Sequence, residues 1–190
     1  MKQGKLTNEQ LNQIVLSHLH KRRSETAIGP AVGEDCAVIR WDADLLVMTT
    51  DPITAAAKGA GSLAVDVCCN DIASAGAEPV ALLLTLLVPP SAEVSDIEAI
   101  VCDAERAANA VGADIVGGHT EITDAVTRIV ISATAIGRAK KRVVSTSGMR
   151  SGDAIIMTKY AGLEGTLFTT VFKKRCPTRC FPTAAAWPTV

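Results

Sequence analysis

Residues 61–90 read GSLAVDVCCNDIASAGAEPVALLLTLLVPP, and the change of pattern inside this stretch decides the fold class. Its first part, Gly61–Gly76, is dominated by small side chains and shows no alternation of apolar and polar positions. Such a run predicts a tightly packed helix ended by Gly76, because glycine takes the left-handed conformation that closes helices at little cost. Val80–Val88 is then a continuous apolar run stopped by Pro89-Pro90. That is the pattern of a buried strand, since proline has no N–H with which to continue a ladder. A helix leading directly into a buried strand implies helices lying on a sheet.

The same alternation of elements extends outward. Downstream, Ser95 and Glu98 have the spacing of a capping box, and Ile97, Ile100, Val101, Ala104, Ala108 and Val111 continue a helical stripe as far as Gly112. Strands are predicted at Asp114–Val116, at Thr127–Ile136, and at Ala154–Thr158 after the turn residues Ser151-Gly152-Asp153. Upstream, Cys36–Trp41 and Leu45–Thr50 read as a hairpin around Asp42-Ala43-Asp44. Thr7 and Gln10 form a first capping box, with Leu6 and Leu11 placed as a hydrophobic staple. The helix that follows carries Leu11, Ile14, Val15 and Leu19 on one face and ends in Lys21-Arg22-Arg23, where cations favour the C-terminal end of the dipole. That basic run reads as a solvated helix end rather than a binding patch. The predicted order is α-β-β-α-β-α-β-β, with no internal repeat.

Composition narrows the function. A chain of 190 residues holds one ordinary domain, or one domain and part of a second. With 19 basic and 20 acidic residues, it has no general attraction for nucleic acid or an anionic membrane. Aromatic residues are only 3% of a chain that is 48% hydrophobic, so Ala, Val, Ile and Leu must fill the interior. Of the six cysteines, Cys36, Cys68, Cys69 and Cys102 sit in apolar segments and read as buried thiols. Cys176 and Cys180 have no second half or nearby histidine to complete a metal site. Neither a signal segment nor a membrane-spanning stretch is visible, which predicts a cytoplasmic, soluble protein.

Four polar clusters interrupt the apolar pattern at the ends of elements: Gly33-Glu34-Asp35, Thr49-Thr50-Asp51, Asn70-Asp71, and Gly117-Gly118-His119-Thr120-Glu121. Carboxylates in such places can hold magnesium while substrate phosphates complete its shell. Taken singly, an Asp after a strand is ordinarily a turn or cap residue, and an Asn-Asp pair in a helix ordinarily faces solvent. Asn70-Asp71, however, lies among Val67, Cys68, Cys69, Ile72 and Ala73, where a carboxylate wants a cation or a donor.

Read together, Gly33–Val38, Thr49–Pro52, Asn70–Pro79 and Gly117–Glu121 resemble, in order and approximate spacing, the aminoimidazole ribonucleotide (AIR) synthetase superfamily. That superfamily includes thiamine-monophosphate kinase, selenophosphate synthetase and the hydrogenase maturation factor that dehydrates a carbamoyl group. The resemblance covers roughly residues 4–168, and Gly4-Lys5-Leu6 with Gly117–Thr123 look most like the AIR synthase-related proteins grouped with the hydrogenase factor.

The resemblance implies an α+β (mixed α/β) fold. Its N-terminal ATP-binding and dimerisation domain, residues 1–150, would have a four-stranded sheet that pairs with a second copy into a barrel with helices outside. Residues 151–169 would begin a second α/β domain, and 170–190 remain unassigned. It further implies ATP and Mg2+ as cofactors, a homodimer, and a small-molecule substrate activated at an oxygen by phosphoryl transfer. Metal ligands would be Asp35, Asp51, Asp71 and Glu121; Asn70, Asp71, Gly117, Gly118, His119 and Thr120 would meet the nucleotide. No catalytic residue is assigned.

Several relatives carry an acid where this chain has His119, a poorer magnesium ligand; Glu121, two residues along a strand, would point to the same face and could replace it. A turn-capping role for His119 stays open. Gly162-Leu163-Glu164-Gly165-Thr166 is a glycine-rich turn able to offer amides to phosphate. After Thr169 the resemblance stops, which predicts a truncated or frame-shifted chain lacking most of its second domain, or else a naturally short protein with a disordered tail. No cysteine of the selenophosphate or hydrogenase type can be assigned, Cys180 lying in the unmatched tail. The alternatives to an ATP-dependent hydrogenase-maturation enzyme are a thiamine-monophosphate-kinase-like enzyme and a non-catalytic dimeric nucleotide-binding module. A structural domain with incidental acidic turns is a third.

Overall fold

The computed structural model describes residues 7–20, 23–54 and 59–157. The fold is mixed α/β: one six-stranded sheet in the order β1-β2-β3-β6-β4-β5 with two long helices packed on one face. The strands are β1 (Thr26–Ile28), β2 (Ala37–Trp41), β3 (Asp44–Ile53), β4 (Glu78–Val88), β5 (Asp114–Ile122) and β6 (Val130–Ala139). Every pair is antiparallel except β4 and β5. The sheet therefore exceeds the four strands the resemblance implies. The short β1 carries too little pattern to be read from sequence, and β5 extends the other edge.

Local chemistry accounts for most boundaries. At the start of α1 (Asn8–Ile14), Gln10 N donates to Thr7 Oγ1 at 3.2 Å and Thr7 N to Gln10 Oε1 at 3.1 Å, the expected capping box. The helix stops earlier than its apolar stripe predicts. A 3-10 turn at Leu16–His18 follows, where Ser17 Oγ donates to the Gln13 carbonyl at 2.7 Å and so competes for the helix backbone. No residue of α1 is buried; Leu6 and Lys21-Arg22 lie outside the described residues. The β2–β3 hairpin forms as predicted, with Trp41 opposite Asp44 and Asp42 accepting a positive φ of 54° in the turn.

Helix α2 (Ala60–Ser74) ends at Gly76, whose φ of 74° is the left-handed value anticipated for it, and β4 then runs to Val88. Helix α3 (Val94–Val111) ends at left-handed Gly112 but begins two positions before the expected Ser95–Glu98 cap. Glu93 is its N-cap instead, and Glu93 N donates to Asp96 Oδ2 at 3.1 Å. The true box uses an acid where a hydroxyl was sought. Strand β5 runs through Gly117–Glu121, well past Val116, because each residue gains a partner on β4.

The strand expected at Ala154–Thr158 is not formed by Ala154–Met157, which pair with no described strand and leave Ile155 and Ile156 solvent-exposed; Thr158 lies outside the described residues. The rest of the expected 151–169 segment, the Gly162–Thr166 turn included, and all of 170–190 lie outside them as well.

The core lies between the sheet and α2–α3. Val38, Val47, Leu82, Leu84, Ile131 and Ala133 point from the sheet towards Leu63, Ala64, Val65, Cys68 and Ile72 on α2. Gly61 lets the two helices touch: a Cβ there would stand 2.0 Å from the Ile100 carbonyl oxygen. The opposite sheet face, with Leu46, Met48, Thr134, Ile136 and Leu83, has no described helix over it. No described helix is long and apolar enough to cross a membrane.

Candidate functional site

Alternation along β3 sends Thr49 and Asp51 to the helix-covered face, where α2 presents Asp71. Thr49 Oγ1 donates to Asp71 Oδ2 at 2.9 Å. Burial pushes the Asp71 carboxyl up to about 6; the Thr49 hydrogen bond opposes the rise, while a hydrogen bond to Asp51 and the charges of Asp51 and Asp35 add to it. Asp35 enters from the loop before β2. Its neighbour Cys36 records the convergence: burial first, then the fields of Asp71, Asp35, Glu34 and Asp51, raise the thiol to about 12. Cys36 is thereby kept protonated and is not a nucleophile near neutral pH. Cys68 and Cys69 are likewise raised to about 12, mainly by burial. Cys102, expected to be buried, is exposed on α3.

Glu34 precedes Asp35 on the same loop. Its Oε1 accepts from the Ser145 hydroxyl and from Ser147 N at 3.0 Å, and its carboxyl is held below the usual range, chiefly by the Ser145 hydrogen bond. A cleft of about 600 Å³ opens beside Asp35, lined by Glu34, Cys36, Ser74, Ser145 and Met149 among others. Ser145–Ser147 carry no short motif and are visible only in three dimensions. Thr49 is named in the sequence only as part of the Thr49-Thr50-Asp51 cluster, and its place two residues from Asp51 on a strand puts the two on one face.

The structure thus brings Asp35, Asp51 and Asp71 into one neighbourhood, with Asn70 exposed one position along α2. It does not bring the fourth cluster there. The β4–β5 register aligns His119 with Thr85 and Glu121 with Leu87, on the face without helices, and β6 and β4 stand between β5 and β3. Three strand spacings place β5 roughly 14 Å from β3. His119 Nε2 and Glu121 Oε2 are 3.6 Å apart, so the two do share a face, and both are exposed. Gly118 packs so tightly that a Cβ would stand 1.8 Å from the Leu84 carbonyl oxygen. Gly117 and Thr120 flank it on the same edge strand.

Among the described residues, no three His, Cys, Asp or Glu side chains are arranged to ligate one ion by themselves. A pair of mutually repelling carboxylates with a hydroxyl beside them is nonetheless the oxygen donor set that suits magnesium, which commonly takes one or two carboxylates and fills its shell with water and phosphate. The residues fit that ion better as half a shell than as a cage.

The family described as AIR synthase related protein, N-terminal domain, matches residues 33–139, more than half of this chain. The chain belongs to the AIR synthase-related family. A protein of Methanocaldococcus jannaschii provisionally named for hydrogenase expression and formation is 30% identical over 168 residues, covering 85% of this chain and 50% of that protein. The AIR synthase-related fold is also seen in the thiamine monophosphate kinase of Aquifex aeolicus complexed with AMPPCP and TMP. There the TM-score is 0.56 at 26% identity, over 62% of this chain and 40% of that one. A HypE–HypF complex gives a TM-score of 0.56 at 25% identity, over 71% of this chain and 54% of that one. The chain spans about half the length of the curated relatives it matches.

Proposed function

We propose that this chain supplies the magnesium-ATP site of an enzyme that activates an oxygen atom of a small substrate, or a carbonyl oxygen, by phosphoryl transfer. The observation that carries this reading is the convergence of Asp35, Asp51 and Asp71, where burial first, and then the neighbouring Asp51 and Asp35, raise Asp71 to about 6. Acids held together against their own repulsion are partly neutralised by a proton in the absence of a cation, and a divalent ion would balance the two charges of the Asp51–Asp71 pair. Asp51 and Asp71 would hold magnesium with Asp35 close by, and the ion would screen phosphate charge as the phosphoryl group moves. The chain's own part is positioning and charge balance: Thr49 orients Asp71, and α2 and β3 fix the carboxylates on rigid elements. The AMPPCP in the similar kinase structure supports nucleotide use.

Hydrogenase maturation is the role we favour, on the strength of the name carried by the M. jannaschii relative. A thiamine-monophosphate-kinase-like activity is the second reading, supported by the kinase structure. In either, a second copy of the chain covers the open sheet face, closing a barrel and drawing His119 and Glu121 into the interface. A cytoplasmic location belongs to this reading. Calorimetry with ATP, with and without magnesium, tests it. Magnesium-dependent binding by the wild type, weakened at least tenfold in Asp71→Asn, is the expected result. Binding unaffected by Asp71→Asn, or no binding at all, overturns the assignment; binding without turnover would favour a non-catalytic nucleotide-binding module.

A further inference from the structure

The loop that presents Asp35 is tied at three points to a segment more than a hundred residues away in sequence. Ser145 Oγ and Ser147 N both donate to Glu34 Oε1, and Thr146 Oγ1 donates to the Gly33 carbonyl at 2.7 Å. One residue earlier, Val144 N donates to the Ala75 carbonyl at 2.9 Å, four positions beyond Asp71 at the end of α2. Residues 144–147 therefore bridge the two elements, loop and helix end, that carry Asp35 and Asp71. The same segment walls the cleft beside Asp35.

Left alone, the loop has little to hold it. Gly33 takes a φ of 84°, with open space around it, and no helix or strand includes residues 29–36. A carboxylate that must meet a cation at a fixed distance cannot be carried by an unsupported turn without an entropic cost paid at binding.

We propose that Glu34 is a positioning residue, clasping segment 144–147 so that Asp35 is held in place beside Asp71 and the cleft wall is closed. It acts through the loop and through Ser145, not by touching the ligand. The proposal rests on the magnesium-ATP reading of the site.

The test is a double-mutant cycle on the full chain, read as affinity for ATP with magnesium. Glu34→Ala weakens binding about tenfold, the scale of a lost charge-assisted hydrogen bond. Glu34→Gln, which keeps an acceptor oxygen, recovers most of it. Ser145→Ala weakens binding in the same direction, and the double variant loses no more than Glu34→Ala alone, because both remove one clasp. Amide exchange of the ligand-free chain rises in residues 33–36 and 143–149 together, while the interior of α2 stays protected.

If Glu34→Ala binds as the wild type does while Asp71→Asn fails to bind, the proposal is overturned and the site reading stands. If the wild type does not bind, both fall. Additive losses overturn the clasp. Should Glu34→Ala fail to fold, Ser145→Ala and Thr146→Val, which leave the acidic loop intact, carry the same comparison.

Discussion

Thr49 on β3 and Asp71 on α2 are joined by a 2.9 Å hydrogen bond across the interface between sheet and helix, and among the described residues Thr49 is the polar residue buried within that core. The bond does two things. It satisfies a hydroxyl that burial would otherwise leave without a partner, and it opposes the rise of the Asp71 pKa. Thr49→Val keeps the shape and deletes the donor. It should lower stability by about 1 kcal/mol at pH 7 in urea denaturation, the ordinary net value of such a bond. Thr49→Ser should keep most of it, and an unchanged midpoint in Thr49→Val would show the bond to be dispensable.

Asp71 should also set a pH dependence. Its folded pKa, about 6, lies above its ordinary 3.8, so between these values the folded chain holds a proton that the unfolded chain has released. Stability contributed by this group is therefore fully present below pH 3.8, falls as pH rises through that window, and levels off above about 6. Asp71→Asn removes the titration. Thermal unfolding of the two proteins should then diverge in the variant's favour from pH 4 to pH 7, while magnesium affinity of the wild type rises over pH 5–7 as the competing proton leaves. A constant difference across that range would contradict the assignment.

What the residues disclose on their own depends on how local the cause is. Gly76, Gly112 and Pro89-Pro90 stop their elements through backbone chemistry confined to a few residues, and those boundaries are readable directly. The α3 cap is misread by two positions because Glu93-Asp96 and Ser95-Glu98 overlap as candidates, and only the folded chain shows which box closes. Strand β1 and the full length of β5 depend on partners distant in sequence, so three residues at Thr26–Ile28 carry no signal of their own. In the site, Asp35, Asp51 and Asp71 are suggested by a resemblance in motif order, and their proximity is a product of the fold. The face taken by His119 and Glu121 is not readable, because the register shift between Leu82 and Leu83 changes the parity of β5. The Glu34–Ser145 contact joins residues 111 apart and has no local signature.

Close approach of α2 and α3 leads to a sharper mutational expectation. A Cβ on Gly61 would lie 2.0 Å from the Ile100 carbonyl oxygen and 2.8 Å from Ala104 N, both backbone atoms that cannot swing aside. Gly61→Ala must separate the helices. Although alanine is the better helix former, overpacking should dominate, at a cost of about 2 kcal/mol or more in chemical denaturation. A stabilised Gly61→Ala would mean that the helices are not packed this closely in solution.

The open sheet face gives the last expectation. Leu83 on β4 is 40% exposed there, and its neighbours Thr134 and Ile136 on β6 belong to the same surface. A sheet face that carries Leu46, Met48, Leu83 and Ile136 with no described helix over it is what a second sheet would cover, and the proposed barrel supplies that sheet from a second copy. Leu83→Asp adds a charge that would have to be buried at the centre of such an interface without a partner. Sedimentation velocity at micromolar concentration should therefore find a dimer for the wild type and a monomer for Leu83→Asp, with the variant's far-ultraviolet circular dichroism unchanged. A wild-type monomer would remove the dimer from the proposal, and a dimeric Leu83→Asp would move the interface to another face.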